Sequence, residues 1–424
     1  MVAYTRTVLS NGLRVIFASQ KDNVATTILV LVEAGSKYET KDINGLSHFL
    51  EHMCFKGTAK RPTAMDIAGE LDGIGAEYNA FTSQEWTGYF VKVHAHKAEQ
   101  AMDIITDLYL NPTFNTEEIE KEKGVIIEEL NMYEDLPMRR VQEIFMTLLY
   151  GDQPAGWDIG GRKEVIRMMT RDHFIAYRDK HYVAPATTII ISGSFDENIL
   201  LPQIEKQFAE LSTGTKGGKV ATKENQEKPE VKVVHKESDQ THLVLGCRAF
   251  GIADSRRYAI EVLGDILGGG MSSRLFQHVR EKLGAAYYVK ADADLFSDHG
   301  FFAVSSGVEH GKLEIVIKAI LEEFERIKNE IVSEEELMRA KEHISGRTLL
   351  GLETSDSLAT YYGGQEILHE ELASPDALVS CIQEVTAEEI QKLANEILIE
   401  KNLNLAIIGP HQDEAKLAEL LKLR

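Results

Sequence analysis

Cysteine is scarce in this chain: Cys54, Cys247 and Cys381 are the only three in 424 residues. They are odd in number and far apart, so they offer neither a disulfide framework nor a CxxC metal spacing, and a reducing compartment is expected. Cys54 lies two residues past His52, but its side chain would point away from the histidine face of a helix, so it reads as packing. Positive charge is also short. Lysine and arginine number 46 against 67 acidic residues, a net charge of −21, which argues against a nucleic-acid partner because the phosphate backbone would be repelled. A solvated acidic surface is the simpler reading of that excess, and an acidic chamber for basic substrates the sharper one. Long apolar runs are missing as well. Met1–Phe17 lacks the basic start and apolar run of a secretory signal. The longest apolar stretch near it, Thr27–Glu33, is far too short to cross a bilayer. A cytoplasmic protein without a membrane partner is expected.

The length exceeds what one hydrophobic core usually holds, so at least two domains are expected. Ser212–Glu230 contains Gly214, Gly217, Gly218, Pro229 and several lysines with almost nothing apolar, which is a linker composition. Taking 213–230 as the linker leaves residues 1–212 and 231–424 as two halves in which the same elements recur. Thr26–Val32 opens the first as a β-rich run and Thr241–Gly246 the second, while Thr187–Gly193 and Asn404–Gly409 close them. Leu71–Tyr78 echoes Glu281–Tyr287, and amphipathic helical stretches fall at Thr116–Glu134, Asp254–Leu267 and Glu334–Arg347. The expected fold class is α+β: two similar domains from a duplicated unit, each a mostly antiparallel sheet with helices packed on one face.

One difference between the halves is chemical. The first carries His48-Phe49-Leu50-Glu51-His52 where the second has Val262–Leu267, without a histidine pair. The segment Gly45–Phe55 has helical character, with Asn44 available as an N-cap and Gly57 beyond its end. Histidines four apart on a helix share a face and can reach one metal ion at about 2.0–2.1 Å each, the usual Zn–N distance. Glu51 projects beside that face, where it can act as a base on a zinc-activated water. A catalytic zinc takes a third protein ligand. The helix opening at Asn115, with Glu118 at N3 as a capping box, supplies candidates. Glu122 and Glu129 lie two turns apart on one face, near Ile119, Val125 and Leu130, where an unpaired carboxylate would be costly. Glu117, Glu120 and Glu128 read as solvated. Spacing alone does not choose between Glu122 and Glu129.

The stretches Ala34–Glu39, Gly45–Thr58, Gly75–Thr82, Ile119–Glu129 and Leu267–Phe276 closely resemble the inverzincin peptidases. That family includes pitrilysin, insulin-degrading enzyme and mitochondrial processing peptidase, and its signature is the inverted HxxEH order. The resemblance covers nearly the whole chain. It implies one zinc per chain held by His48, His52 and Glu129, with Glu51 as general base and Glu122 orienting a ligand histidine. It implies that Arg280 holds a substrate carbonyl and Tyr287 donates to the developing oxyanion, although Ala285 and Tyr288 stand where relatives often have leucine and serine. It also implies that Asn79, Ala80 and Phe81 lie on an edge strand that takes a peptide substrate as an added strand. Larger relatives hold two such units in one polypeptide around a chamber. The resemblance therefore implies a homodimer whose zinc site on each chain is completed by the partner, acting as a metalloendopeptidase on unfolded peptides. A catalytically inactive or partner-dependent peptide-binding or assembly subunit of a larger complex is the alternative, and an inactive one would be expected to have lost ligands that are all present here.

Overall fold

The computed structural model describes residues 4–368 and 371–423. Contacts divide the chain into two compact units. The first takes the residues up to Leu130, then Trp157–Val220 and Leu349–Pro375. The second takes Asn131–Gly156, Ala221–Thr348 and the chain from Asp376 onward.

The first unit is built on strands β1 (Tyr4–Val8), β2 (Arg14–Ser19), β3 (Ala25–Val32), β4 (Glu77–Thr82), β5 (Thr87–His94) and β6 (Thr187–Gly193), in the sheet order β1-β2-β6-β3-β5-β4. The second holds β7 (Glu230–His235), β8 (Thr241–Ala249), β9 (Ala286–Leu295), β10 (Gly300–Val308) and β11 (Asn404–Gly409), in the order β7-β11-β8-β10-β9. The two sheets share a topology. In each, the first strand of the common set runs parallel to the last, β2 with β6 and β7 with β11, and every other pair is antiparallel. This is the α+β duplication expected of the sequence, except that helices cover both faces of each sheet rather than one.

The central strands are continuous apolar runs because both of their faces are buried. On one face of the first sheet Val15, Phe17, Ile28, Val30, Ile189 and Ile191 pack into the main core with the helix Ala98–Leu110. On the other face Ile16, Ala18, Leu29, Leu31 and Ile190 pack against Leu358, Ala359 and Tyr362 of the helix Ser355–Leu368. That helix comes from the second half of the chain. The reciprocal loan occurs in the second unit, where Val141, Ile144, Phe145 and Leu149 of the helix Pro137–Tyr150 cover Val244, Ala406 and Ile408. The segment of linker composition is divided between the units: on the first, Ser212 O accepts from Ala184 N at 2.8 Å, Lys216 pairs with Glu33 at 2.8 Å and Lys219 pairs with Glu85, and on the second, Thr222 N donates to Asp298 Oδ2 and Lys223 N to Gln153 Oε1, each at 2.9 Å.

The helix Thr116–Glu134 has the bounds its sequence suggests, and Glu334–Gly351 runs one turn longer. Asp254–Leu267 divides instead into an α-helix, Arg257–Gly264, and a π-helical turn, Asp265–Gly269. Among the described residues no helix is long and apolar enough to cross a membrane.

Candidate metal centre

The helix Leu46–Cys54 buries Leu46, Phe49, Leu50, Met53 and Cys54 in the main core, and its opposite side carries the histidines. Its N-cap is Gly45, at φ +98°, rather than Asn44. A left-handed residue is needed there, and a Cβ on Gly45 would also come within 2.6 Å of Gly160 O. The helix start is capped from a distance by Glu39, whose carboxylate accepts from Gly45 N at 2.8 Å, Ser47 N at 2.6 Å and Asn44 Nδ2 at 3.1 Å. Burial pushes the Glu39 carboxyl up to about 7, against the pull of those donors. Nothing in the sequence spacing announced this cap.

On the exposed side the His48 and His52 rings lie 4.7 Å apart, nearly edge to face. The helix Thr116–Glu134 lies against them, starting where Asn115 Oδ1 accepts from the backbone N–H groups of Glu117 and Glu118. Ile119, Ile126 and Leu130 of this helix are buried, whereas Val125 is exposed. That placement brings Glu129 Oε2 to 3.7 Å from His48 Nε2 and 3.6 Å from His52 Nε2. Among the described residues these three form the one group of histidine, cysteine or carboxylate side chains with ligand atoms all within 4.8 Å of one another. A tetrahedral ion about 2.0–2.1 Å from each donor would set its ligands about 3.3 Å apart, close to the two distances from Glu129 to the histidines. Two imidazoles and one carboxylate leave a fourth position open, which is the donor set of a catalytic rather than a structural site.

Glu122 does something different. Its Oε1 lies 2.9 Å from His52 Nδ1 and its Oε2 accepts from Lys56 Nζ at 2.6 Å. Burial opposes ionisation of Glu122, but the bonds from His52 and Lys56 outweigh it and hold the carboxyl below its usual range. An ionised Glu122 can only accept, so the proton of neutral His52 sits on Nδ1 and its Nε2 lone pair faces the Glu129 side. Burial acts downward on His52 itself, yet the bond to Glu122 and the charges of Glu51 and Glu129 leave its pKa raised.

Glu51 is 9% exposed, and its Oε2 accepts from Thr82 Oγ1 at 2.7 Å. Burial is the largest influence on this carboxyl and raises its pKa, with Glu129 adding to the rise and Thr82 and His52 opposing it. A carboxylate with a raised pKa beside an open metal position is suited to take and return a proton.

Asn79, Ala80 and Phe81 lie on β4, which is an edge of the first sheet with β5 as its neighbour. Ala80 N–H donates to Asn79 Oδ1 at 2.9 Å, so it stands outside the ladder with β5 and faces the open edge. The Phe81 ring covers Gly88, where a Cβ would come within 2.4 Å of it. Arg280 lies in the π-helical segment Phe276–Lys282 of the second unit, its guanidinium 4.8 Å from the Phe276 ring centre and 5.9 Å from that of Tyr287. Tyr287, on β9, is 73% exposed.

Glu39, Lys56 and Thr82 escaped the sequence reading. All three lie within stretches that carry the family resemblance, Ala34–Glu39, Gly45–Thr58 and Gly75–Thr82, and that was the available sign of them.

Known proteins resemble this chain along its length. A family described as insulinase (peptidase family M16) matches residues 14–161, and one described as the peptidase M16 inactive domain matches residues 169–344. An uncharacterized zinc protease of Rickettsia felis is 35% identical over 404 residues, covering 95% of this chain and 97% of the relative. The uncharacterized zinc protease YmxG of Bacillus subtilis is 33% identical over 400 residues, covering 94% and 97%. A protease from Helicobacter pylori of known structure shares the fold with a TM-score of 0.89, at 20% identity over 96% of this chain and all of that one.

Proposed function

The chain belongs to the M16 peptidase family, and from that premise we propose that it is a zinc metalloendopeptidase cutting unfolded peptides. The observation that carries this reading is the convergence of His48 Nε2, His52 Nε2 and Glu129 Oε2 beside the buried carboxylate of Glu51.

His48, His52 and Glu129 would hold the metal. Zinc bound there supplies a Lewis acid and lowers the pKa of a coordinated water to about 7. Glu51 takes the proton of the attacking water and passes it to the leaving amine as the peptide bond breaks. Glu122, steadied by Lys56, keeps the Nδ1 proton on His52 and fixes its ring. The open edge of β4 receives the peptide as an added strand through Asn79, Ala80 and Phe81. Main-chain pairing of this kind grips an extended chain without reading its sequence. Arg280 holds a substrate carbonyl and Tyr287 donates to the oxyanion.

In this reading two chains associate, and each zinc site is completed by Arg280 and Tyr287 of the other copy around a chamber that excludes folded proteins. The exposure of Tyr287 accords with a group that awaits a partner or a substrate. The description "inactive domain" falls on residues 169–344, which do not include the metal group. That description leaves an assembly subunit without activity as the second reading, although the ligands such a subunit would be expected to lose are all present.

Incubation with unstructured peptides tests the proposal. Cleavage should stop on chelation and return with zinc, and cleavage indifferent to chelation would contradict it. Mixing Glu51→Gln chains with Tyr287→Phe chains tests the dimer: activity should reappear in the mixture, and its complete absence would rule out completion in trans.

A further inference from the structure

We propose that Thr82 is a positioning residue for Glu51, tying the base to the strand that receives the peptide. The proposal rests on the reading of Glu51 as general base.

Thr82 Oγ1 donates to Glu51 Oε2 at 2.7 Å. A strong donor on one oxygen restrains the rotation of a carboxylate and leaves Oε1 outside that bond. Glu51 is 9% exposed, so water is poorly placed to replace a missing hydroxyl.

The position of the hydroxyl is itself over-determined. Thr82 ends β4 opposite Thr87 of β5, and Thr87 Oγ1 donates to Ala34 O at 2.8 Å. The turn that follows is fastened by its carbonyls: Ser83 O accepts from Ser36 N at 3.2 Å and Gln84 O from Lys37 N at 2.8 Å. A Cβ on Gly35 would come within 2.4 Å of Ser83 O, so only glycine lets the two segments close. The backbone that presents the hydroxyl therefore cannot shift alone.

The same strand offers the outward-facing Ala80 N–H two residues earlier. A peptide pairing along that edge loads the strand that aims the base, and binding and orientation are coupled through one rigid element. Nothing in the HxxEH motif requires this threonine. The positional constraint comes from the β4–β5 turn.

Thr82→Val keeps the shape and removes the hydroxyl, and Thr82→Ser keeps the hydroxyl. For an unstructured peptide, kcat should fall roughly ten- to a hundred-fold in Thr82→Val, with KM changed by no more than about twofold. Zinc content should stay at the wild-type level, and Thr82→Ser should recover most of the loss. A second readout needs no turnover. The visible absorption of the cobalt-loaded protein should change in Thr82→Val and not in Thr82→Ser, because Glu51 lies in the field of His52 and Glu129. If wild type binds metal but cuts no peptide, the peptidase reading falls and the cobalt spectra still decide the role of Thr82. A Thr82→Val chain with wild-type kcat, or with an unchanged cobalt spectrum, would overturn the proposal.

Discussion

On His52 the two ring nitrogens face different carboxylates, Nδ1 toward Glu122 at 2.9 Å and Nε2 toward Glu129 at 3.6 Å. Glu122→Gln should therefore weaken zinc binding by about 10- to 100-fold without removing a ligand, which competition with a chelating dye would measure. The motif histidines and Glu51 were legible because one helix fixes their spacing covalently. Glu122 and Glu129 were not separable, since residues seven apart on a helix share a face. How that helix lies against the histidine helix decides which oxygen meets which nitrogen, and this is a tertiary matter. His181 gives a residue-scale test of stability. Burial, with Lys180 nearby, lowers its pKa from near 6.5 to about 4. The folded state therefore binds fewer protons than the unfolded state between those values. Its contribution is complete above pH 6.5 and is lost as pH falls toward 4, by roughly 3 kcal/mol at about 1.4 kcal/mol per pH unit. Urea titrations across that window should show wild type losing stability relative to His181→Phe as pH falls, the opposing gain from protonation of Glu39 being common to both chains.

At the scale of elements, β4 carries two jobs on its two sides. Its inner side is laddered to β5 and its outer side leaves the Ala80 N–H to Asn79 Oδ1. Proline is tolerated on a sheet edge where the missing donor faces outward. Ala80→Pro should therefore leave the melting temperature little changed and raise KM for an unstructured peptide about tenfold, if one main-chain bond to substrate of about 1–1.5 kcal/mol is lost. A peptide titration of initial rates would show it. The edge status of β4 could be anticipated from the family resemblance, but not from the six residues of the strand, which alternate no more regularly than an internal strand does. The strands at the heart of each sheet were easier. Runs such as Thr187–Gly193 are β-branched along most of their length and buried throughout.

For the whole molecule, the duplication was visible as repeated strands, and the shared sheet order bears it out. The exchanged helices were hidden. The apolar stripe of Ser355–Leu368 shows that a helix must be buried, not that it caps a sheet whose strands lie some 160 to 340 residues earlier in the chain. Leu358 is fully buried against that sheet. Leu358→Ala should destabilise the first unit by about 2–5 kcal/mol, although the residue lies in the second half. A chain ending at Ser212 lacks the helix altogether and should expose Ile16, Leu29, Leu31 and Ile190. Strong binding of a hydrophobic dye by this fragment, but not by the full chain, would report that exposure. In the full chain, Glu51→Gln tests the chemistry of the first-unit site most directly. Cleavage of an unstructured peptide by zinc-loaded wild type and Glu51→Gln should be compared at equal zinc content. The rate should fall by about 10²- to 10⁴-fold, the usual contribution of a general base, while the variant keeps one zinc per chain. A Glu51→Gln chain that binds zinc and cuts as fast as wild type would contradict the assignment.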